Sequence, residues 1–303
     1  MSDHKTKGMS IIQLLRPQQW IKNVFVAAPL LFSGRFRDPA LCLKTVLAFI
    51  AFSLISSAIY AVNDVCDREE DRRHPVKKNR PIASGRIGIN FAILLSLCLL
   101  VIGSALSWYL DGRTLLMALI FIILQLAYSL ILKHVAILDV MVIAGGFVMR
   151  ILAGSVAITV TPSHWLVLCT IMISLFLGFT KRRAELITLG ELTEHTRTVL
   201  KDYSTVFLDQ VIAMVTGATI VCYALYTVDD HTLKVLGNRG MLLTVPSVIY
   251  GLFRYIYLIY HCKKGEDPTE TVVRDIPTLV NLVLWVLISF FVVIYGNRLN
   301  LFQ

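Results

Sequence analysis

Asn63-Asp64-Val65-Cys66-Asp67-Arg68-Glu69-Glu70-Asp71 is the stretch that decides how this chain is read. It follows a long apolar run and leads directly into a basic stretch, Arg72 to Arg86. If the segment continues the preceding helix, Asp64, Asp67 and Asp71 fall at i, i+3 and i+7 and share one face. Asn63 is one position away, and its amide can join that face. Three carboxylates converging at a membrane surface repel one another unless a counter-charge is present. A hard divalent cation supplies one, and Mg²⁺ held by carboxylates usually also bridges a substrate phosphate. The stretch therefore points to a Mg²⁺–diphosphate site at the mouth of a helical bundle.

The same residues also suit a solvated helix end, with Arg68 and Arg72 as ion-pair partners. The run that follows, Arg72-Arg73-His74-Pro75-Val76-Lys77-Lys78-Asn79-Arg80-Pro81-Ile82, weighs against that reading. Carboxylates for a metal beside cations for phosphate oxygens, Arg80 among them, are the combination phosphoryl substrates need. Lys77, Lys78 and Arg86 read better as a topogenic or lipid-headgroup patch.

Composition places the site in a membrane. Of 303 residues, 56% are hydrophobic and only 16% charged, with a mean hydropathy of +0.70. A soluble domain is about half apolar and about a quarter charged, so a polytopic membrane protein is expected. The net charge of +9 is expected to serve topology and the lipid surface, with no nucleic-acid partner. Six cysteines (Cys42, Cys66, Cys98, Cys169, Cys222, Cys262) lack metal-ligand spacing and read as small buried hydrophobes. His195, His231 and His261 are isolated. Met1–Arg16 is polar and mixed, unlike a cleavable signal peptide.

Spans need roughly 17–25 apolar residues. About nine emerge, near 21–36, 42–62, 90–110, 114–132, 138–158, 164–180, 207–228, 241–261 and 276–296. The first is short and contains Pro29. No repeat of fixed period and no linker divides them, so the expected fold is all-α: one polytopic transmembrane bundle over residues 1–303. Basic residues cluster on alternate connections. Lys5, Lys7, Arg16, Lys22, the 63–89 loop, Lys133, the 181–204 loop (Arg197 included), Lys263, Lys264 and Arg274 fall on one side. Arg35, Arg37, Arg113, Lys234, Arg239 and Arg298 fall on the other. The asymmetry places the first group, and the acidic stretch with it, on the cytoplasmic face of the cell membrane. An odd number of spans sends the C-terminus to the opposite face.

Three further stretches carry candidate chemistry. In Arg16-Pro17-Gln18-Gln19-Trp20-Ile21-Lys22-Asn23, Trp20 suits headgroup level, with Lys22 and Asn23 at the bundle mouth. Snorkelling anchors fit Arg16 equally well. Tyr128-Ser129-Leu130-Ile131-Leu132-Lys133-His134 is followed by Asp139 and Arg150, charges at membrane depth that face a polar cavity or a partner. Eleven residues is close to three helical turns, so Asp139 and Arg150 lie on nearly one face, with a salt bridge to other helices as the plainer role. Gly145-Gly146 suits close packing. Finally, Lys181, Arg182 and Glu185 in Gly178-Phe179-Thr180-Lys181-Arg182-Arg183-Ala184-Glu185 sit one turn apart, as a phosphate clamp with an orienting carboxylate would. Arg183 reads as positive-inside charge.

About nine spans with Asn-Asp-x-x-Asp-x-x-x-Asp after the second resemble the UbiA-type intramembrane prenyltransferase superfamily, over nearly the whole chain. Most of that superfamily carries a second Asp-rich motif after the sixth span; here Thr180-Lys181-Arg182-Arg183-Ala184-Glu185 stands instead. The details resemble the decaprenyl-phosphate phosphoribosyltransferase branch. The matching stretches are 16–23, 63–71, His74-Pro-Val-Lys-Lys-Asn-Arg-Pro-Ile82, 128–134 and Lys181-Arg-Arg-Ala-Glu185.

The resemblance implies transfer of phosphoribose from phosphoribosyl pyrophosphate to a polyprenyl phosphate in the bilayer, a step toward cell-wall arabinan. On this basis Asp64, Asp67 and Asp71 hold Mg²⁺, and Lys181 and Arg182 hold the sugar 5-phosphate. Lys133 and Tyr128 lie near the pyrophosphate or ribose, and Lys22 meets the acceptor phosphate. Homo-oligomerisation is left open. Two rivals are a prenyltransferase acting on an aromatic or other acceptor, and a transporter using Asp139 and Arg150. The first would prefer acids at 181–182; the second has no need of the acidic motif, and no inverted repeat is visible.

Overall fold

The computed structural model describes residues 2–73, 76–189, 198–261 and 268–295. Readings on His74, Pro75, His195, Arg197, Cys262, Lys263, Lys264 and Arg298 fall outside them, as do those on the side chains of Lys5, Lys7 and His231. The described residues are mostly helical, joined by short turns and loops, without a β-strand. They form two compact units, Met1–Pro162 and Ser163–Gln303.

In the first unit, α1 (Ser2–Leu15) leads to a 3-10 segment (Pro17–Ala27) and a short α2 (Ala28–Phe32). α3 (Pro39–Cys66) and α4 (Arg68–Arg73) follow, then α5 (Ile89–Leu110), α6 (Gly112–Leu130) and α7 (Leu138–Ala157). α3 starts where Asp38 accepts from the backbone amides of Ala40 and Leu41, at 2.9 and 3.4 Å, with Pro39 in the first turn. Such a cap satisfies amide donors that a helix start leaves open. Its core combines Ala48, Phe52, Ile55 and Ile59 of α3 with Val26, Ala118, Phe121, Ala153 and Ala157. A second cluster, Leu14, Ala61, Ile82, Ile87 and Ala92, seats α1 and the 76–88 loop at the end of α3 that carries the acids.

Among the described residues eight helices are long and apolar enough to cross a membrane: Pro39–Cys66, Ile89–Leu110, Gly112–Leu130, Leu138–Ala157, His164–Thr188, Thr205–Val228, Gly240–His261 and Ile276–Tyr295. They match the expected spans from the second onward. The chain is a multi-pass membrane protein. The expected first span, 21–36, is not a regular helix. Pro17 opens the segment, and Pro29 has no N–H with which to close an α-helical bond to Phe25. Ala28 takes the Phe25 carbonyl instead, three residues back.

The segment nevertheless runs alongside the C-terminal half of α3. Arg16 meets Asp64, Trp20 meets Ser57 and Asn23 meets Ser53, so its direction is antiparallel to that helix. Its eleven 3-10 residues at about 2.0 Å each cover about 22 Å, and the five α2 residues add about 8 Å. Together they approach the thickness of a hydrocarbon core. Irregular backbone at that depth is tolerated where protein covers it, and α3 and α7 do so. Among the described cysteines none is buried: Cys42, Cys169 and Cys222 are half-covered, and Cys66 and Cys98 are exposed, which corrects their reading as core residues.

In the second unit, α8 (His164–Leu189) and α9 (Thr205–Val228) are followed by α10 (Asp230–Leu236), α11 (Val245–His261), α12 (Pro268–Arg274) and α13 (Ile276–Tyr295). Polar side chains tie these helices together, as hydrogen bonds do where lipid gives little drive for helix association. Trp285 donates to the Tyr223 hydroxyl (2.9 Å), which also meets Thr244 (2.7 Å), and Ser247 pairs with Asn281 (2.7 Å). Arg254 binds Asp275 (2.9 Å). That guanidinium, with Thr278, holds the Asp275 carboxyl below the usual carboxylate range.

Gly154 of α7 is where the 3-10 segment packs most closely: a Cβ there would lie 2.0 Å from the Val26 carbonyl oxygen. Gly154→Val should therefore destabilise by about 1–3 kcal/mol or more, read as a lower apparent melting temperature in detergent. Gly217→Ala, where a Cβ meets nothing within 4 Å, should leave it unchanged.

Candidate active site

The acidic stretch lies where α3 ends. The helix breaks at Asp67 for one residue, yet the Asp67 amide still donates to Asn63 (2.9 Å) and the Asp71 amide to Asp67 (2.8 Å). The helical register therefore carries through, and the expected shared face forms for Asp64 and Asp71. One nitrogen of Arg80 donates to both, at 3.1 Å to Asp64 and 2.6 Å to Asp71. Arg16 donates to the same Asp64 oxygen at 2.5 Å. Asp67 turns instead to Lys133 (2.5 Å) and Asn63 (2.8 Å).

The counter-charge that three converging carboxylates need is present within the chain itself, as three cations. Asp64 is 1% exposed and Asp71 4%. Burial of unpaired carboxylates at that level would be prohibitive.

Arg16 is the residue the sequence left undecided. It follows α1 with φ 51° and ψ 58°, the left-handed geometry that ends many helices and usually belongs to Gly or Asn. An arginine there carries strain, offset here by the ion pair and by the Tyr60 ring 5.3 Å beneath its guanidinium. Trp20 is fixed through Ser57 (2.9 Å), whose hydroxyl in turn donates to Leu15 (2.7 Å).

Deeper in the unit, Arg150 is 5% exposed and has no carboxylate within ion-pair distance among the described residues. It donates to the Asn23 side-chain oxygen (2.7 Å) and the Gly146 carbonyl (2.9 Å), and stacks over Phe121 at 4.6 Å. Asn23 donates to Ser53 (3.1 Å) and accepts from Ser56 (3.3 Å). Asn23 is 0% exposed. It is therefore a buried partner of Arg150 and not, as expected, a group at the mouth.

Asp139 is fully buried in the first turn of α7, and Tyr128 is half-buried near the end of α6. Lys22 is half-exposed on the 3-10 segment, without a hydrogen bond or ion pair among the described residues. In the second unit, Arg182 is 2% exposed and donates to Glu185 (2.5 Å), with Lys181 4.0 Å from the same carboxylate. Arg183, expected to be a topogenic charge, instead lies 3.7 Å over Tyr260 and pairs with Asp209, which also accepts from the Tyr260 hydroxyl (2.6 Å).

Among the described residues no three His, Cys, Asp or Glu side chains are arranged to hold a metal ion. Two observations nonetheless fit one. Asp64 and Asp71 present hard oxygens to a single Arg80 nitrogen, and the second Asp64 oxygen, Oδ2, is buried with no hydrogen-bond partner among the described residues. Carboxylate oxygens of this kind suit Mg²⁺.

The model of the UbiA prenyltransferase family matches residues 24–274. Decaprenyl-phosphate phosphoribosyltransferase of Mycolicibacterium smegmatis is 35% identical over 91% of this chain and 90% of its own. The protein of the same name from Mycobacterium tuberculosis is 32% identical over 91% of both. The solved structure of a UbiA homolog from Archaeoglobus fulgidus bound to GPP and Mg²⁺ superposes with a TM-score of 0.71 at 16% identity, over 94% of this chain and 99% of that one. That likeness bears on the fold.

The Arg150 network makes a prediction of its own. Arg150→Leu removes the shorter of the two donors to the Asn23 oxygen, leaving Ser56 at 3.3 Å, and the side-chain bond to the Gly146 carbonyl, and should cost about 1–3 kcal/mol. Arg150→Lys should not restore it, because an ammonium lacks the planar fork that bridges both oxygens over a ring. A lysine variant as stable as the parent in detergent melting would contradict this.

Proposed function

The chain belongs to the UbiA prenyltransferase family, and from that premise we propose that it transfers the 5-phosphoribosyl group of phosphoribosyl pyrophosphate to a polyprenyl phosphate. The products are pyrophosphate and a polyprenyl-phosphoryl β-5-phosphoribose, a precursor for cell-wall arabinan. The observation that carries the choice of donor is the 32–35% identity, over about nine tenths of the chain, to proteins named decaprenyl-phosphate phosphoribosyltransferase. The residues support it: a cationic Lys181-Arg182 pair stands where a second acidic motif would hold a prenyl diphosphate through metal.

On this reading the reaction breaks the bond between the ribose anomeric carbon and the pyrophosphate oxygen. A new bond forms from a lipid phosphate oxygen on the opposite face. The acceptor is already an anion, so no strong general base is needed. Positioning and electrostatic stabilisation of an oxocarbenium-like transition state provide most of the acceleration.

Arg80, Arg16 and Lys133, which converge on the carboxylates, supply donors for the leaving pyrophosphate, with Tyr128 and Asn63 beside them. Mg²⁺ held by Asp64 and Asp71, with Asp67 directly or through water, would neutralise that leaving group when bound. Lys181 and Arg182, the latter oriented by Glu185, are assigned the 5-phosphate. The unpartnered ammonium of Lys22 is assigned the acceptor phosphate. Arg150 positions Asn23 and the 3-10 segment, and Asp139 stands in the first turn of α7, just after the connection that carries Lys133. We place the reaction at the cytoplasmic face of the cell membrane.

Purified protein given radiolabelled phosphoribosyl pyrophosphate, polyprenyl phosphate and Mg²⁺ should produce lipid-linked label. Asp67→Asn should lower turnover by about 100-fold or more while the protein stays monodisperse. Turnover of a prenyl diphosphate, with no lipid-linked label from phosphoribosyl pyrophosphate, would reverse the assignment. Full activity in Asp67→Asn would remove that carboxylate from the site.

A further inference from the structure

The acid cluster is electrically complete before any ligand arrives. Asp64, Asp67 and Asp71 contribute three negative charges, and Arg16, Arg80 and Lys133 place three positive charges directly on them. The pairing is lopsided. Two guanidinium groups meet on one Asp64 oxygen, whereas the other oxygen of that buried carboxylate is bare among the described residues. The two arginine side chains are more exposed than the carboxylate they cover, at 23% and 26% against 1% for Asp64.

A divalent ion reaching the bare oxygen would therefore come within reach of both guanidinium groups. Like charges at such range, shielded from water, repel strongly. The ion alone would also leave the cluster with two uncompensated positive charges. A diphosphate arriving with the ion changes this balance. It offers the arginines oxygens that match their planar fork, while the ion takes the carboxylates they release.

The two arginines are placed for such an exchange. Arg16 sits at the left-handed turn after α1, and Arg80 follows the Lys77–Asn79 3-10 turn in extended backbone. Neither is inside a spanning helix, so their side chains can turn without disturbing the bundle.

We propose that Arg16 and Arg80 are displaceable counter-ions, which neutralise the acids until metal and diphosphate enter together and thereby couple the binding of the two. The proposal rests on the reading of Asp64 and Asp71 as a metal–diphosphate site. It goes beyond that reading by assigning the arginines opposite effects on the two ligands. By linkage, whatever factor the diphosphate contributes to metal affinity the metal returns to the diphosphate.

The test uses the full chain in detergent and two binding measurements without turnover. Mn²⁺ is titrated alone and its free signal followed by electron paramagnetic resonance; radiolabelled inorganic pyrophosphate is titrated at saturating Mg²⁺. Arg80→Gln should bind Mn²⁺ at least about fivefold more tightly and pyrophosphate at least about tenfold more weakly. Arg16→Gln should shift both in the same directions, and it decides the matter if Arg80→Gln does not fold. Arg16→Lys, which keeps the charge, should retain parental Mn²⁺ affinity.

A merely structural role would weaken both ligands together. Unchanged or weaker Mn²⁺ binding in the folded glutamine variants overturns the counter-ion proposal and leaves the metal site standing. Absence of Mn²⁺ binding in the parent and in both glutamine variants overturns the metal site and the proposal with it.

Discussion

A carboxylate sealed from water has to be met by positive charge, and in the first unit that requirement draws distant parts of the chain to one place. Asp64 and Asp67 come from the end of α3, Asp71 from α4, Arg80 from the loop beyond it, Lys133 from the α6–α7 connection and Arg16 from the start of the 3-10 segment. None of these segments has a local reason to converge there. The ion pairs hold them in register, and the hydrophobic cluster around Leu14, Ala61 and Ile82 seats α1 and the loop that carries Arg80 against α3. Removing one partner of a buried pair costs more than the pair itself contributes, because the charge left behind has no water to turn to.

That balance gives the site its chemical character. An acidic patch open to solvent would attract any divalent ion. Here the acids already have partners, so under the proposed exchange a ligand offers both an ion for the carboxylates and anionic oxygens for the arginines. A magnesium-bound diphosphate meets both conditions, and a free ion or a free phosphate meets only one. The geometry thus favours the class of donor to which the family relationship points.

The spans from the second onward were legible because an apolar run long enough to cross a bilayer rarely serves any purpose but crossing one. The first was not, because hydropathy counts side chains and is blind to which carbonyl an amide reaches. Pro17 and Pro29 were the visible sign that an α-helical register could not run through. Within the site, the spacing of Asp64 and Asp71 was readable because the helix continues through them, and Arg80 was readable as the cation nearest in sequence. Arg16 was ambiguous, since a cation snorkelling to headgroups and one turned inward to a carboxylate look alike in sequence. Asn23 is misplaced, and the partner of Arg183 goes unseen, for a related reason: Arg150 and Asp209 lie on other helices.

The partners of Arg150 show how the same unit keeps its charges apart. A buried arginine at membrane depth would ordinarily be matched by an acid, yet this one is satisfied by an amide, a carbonyl and two aromatic faces. The buried acids of the unit, among the described residues, are Asp64, Asp71 and Asp139. The first two share Arg80, and Asp139 starts α7 a few residues after Lys133. Arg150 lies eleven residues further along α7, about 16 Å from Asp139. An acid beside it would make a second buried ion pair, with the desolvation cost that two buried charges carry. Neutral partners instead anchor the 3-10 segment at depth through Asn23, while Arg16 at its outer end remains the only charge that segment commits to the carboxylates. The segment is thereby fixed at one end by dipoles and at the other by an ion pair, and only the ion pair can be exchanged for a charged ligand.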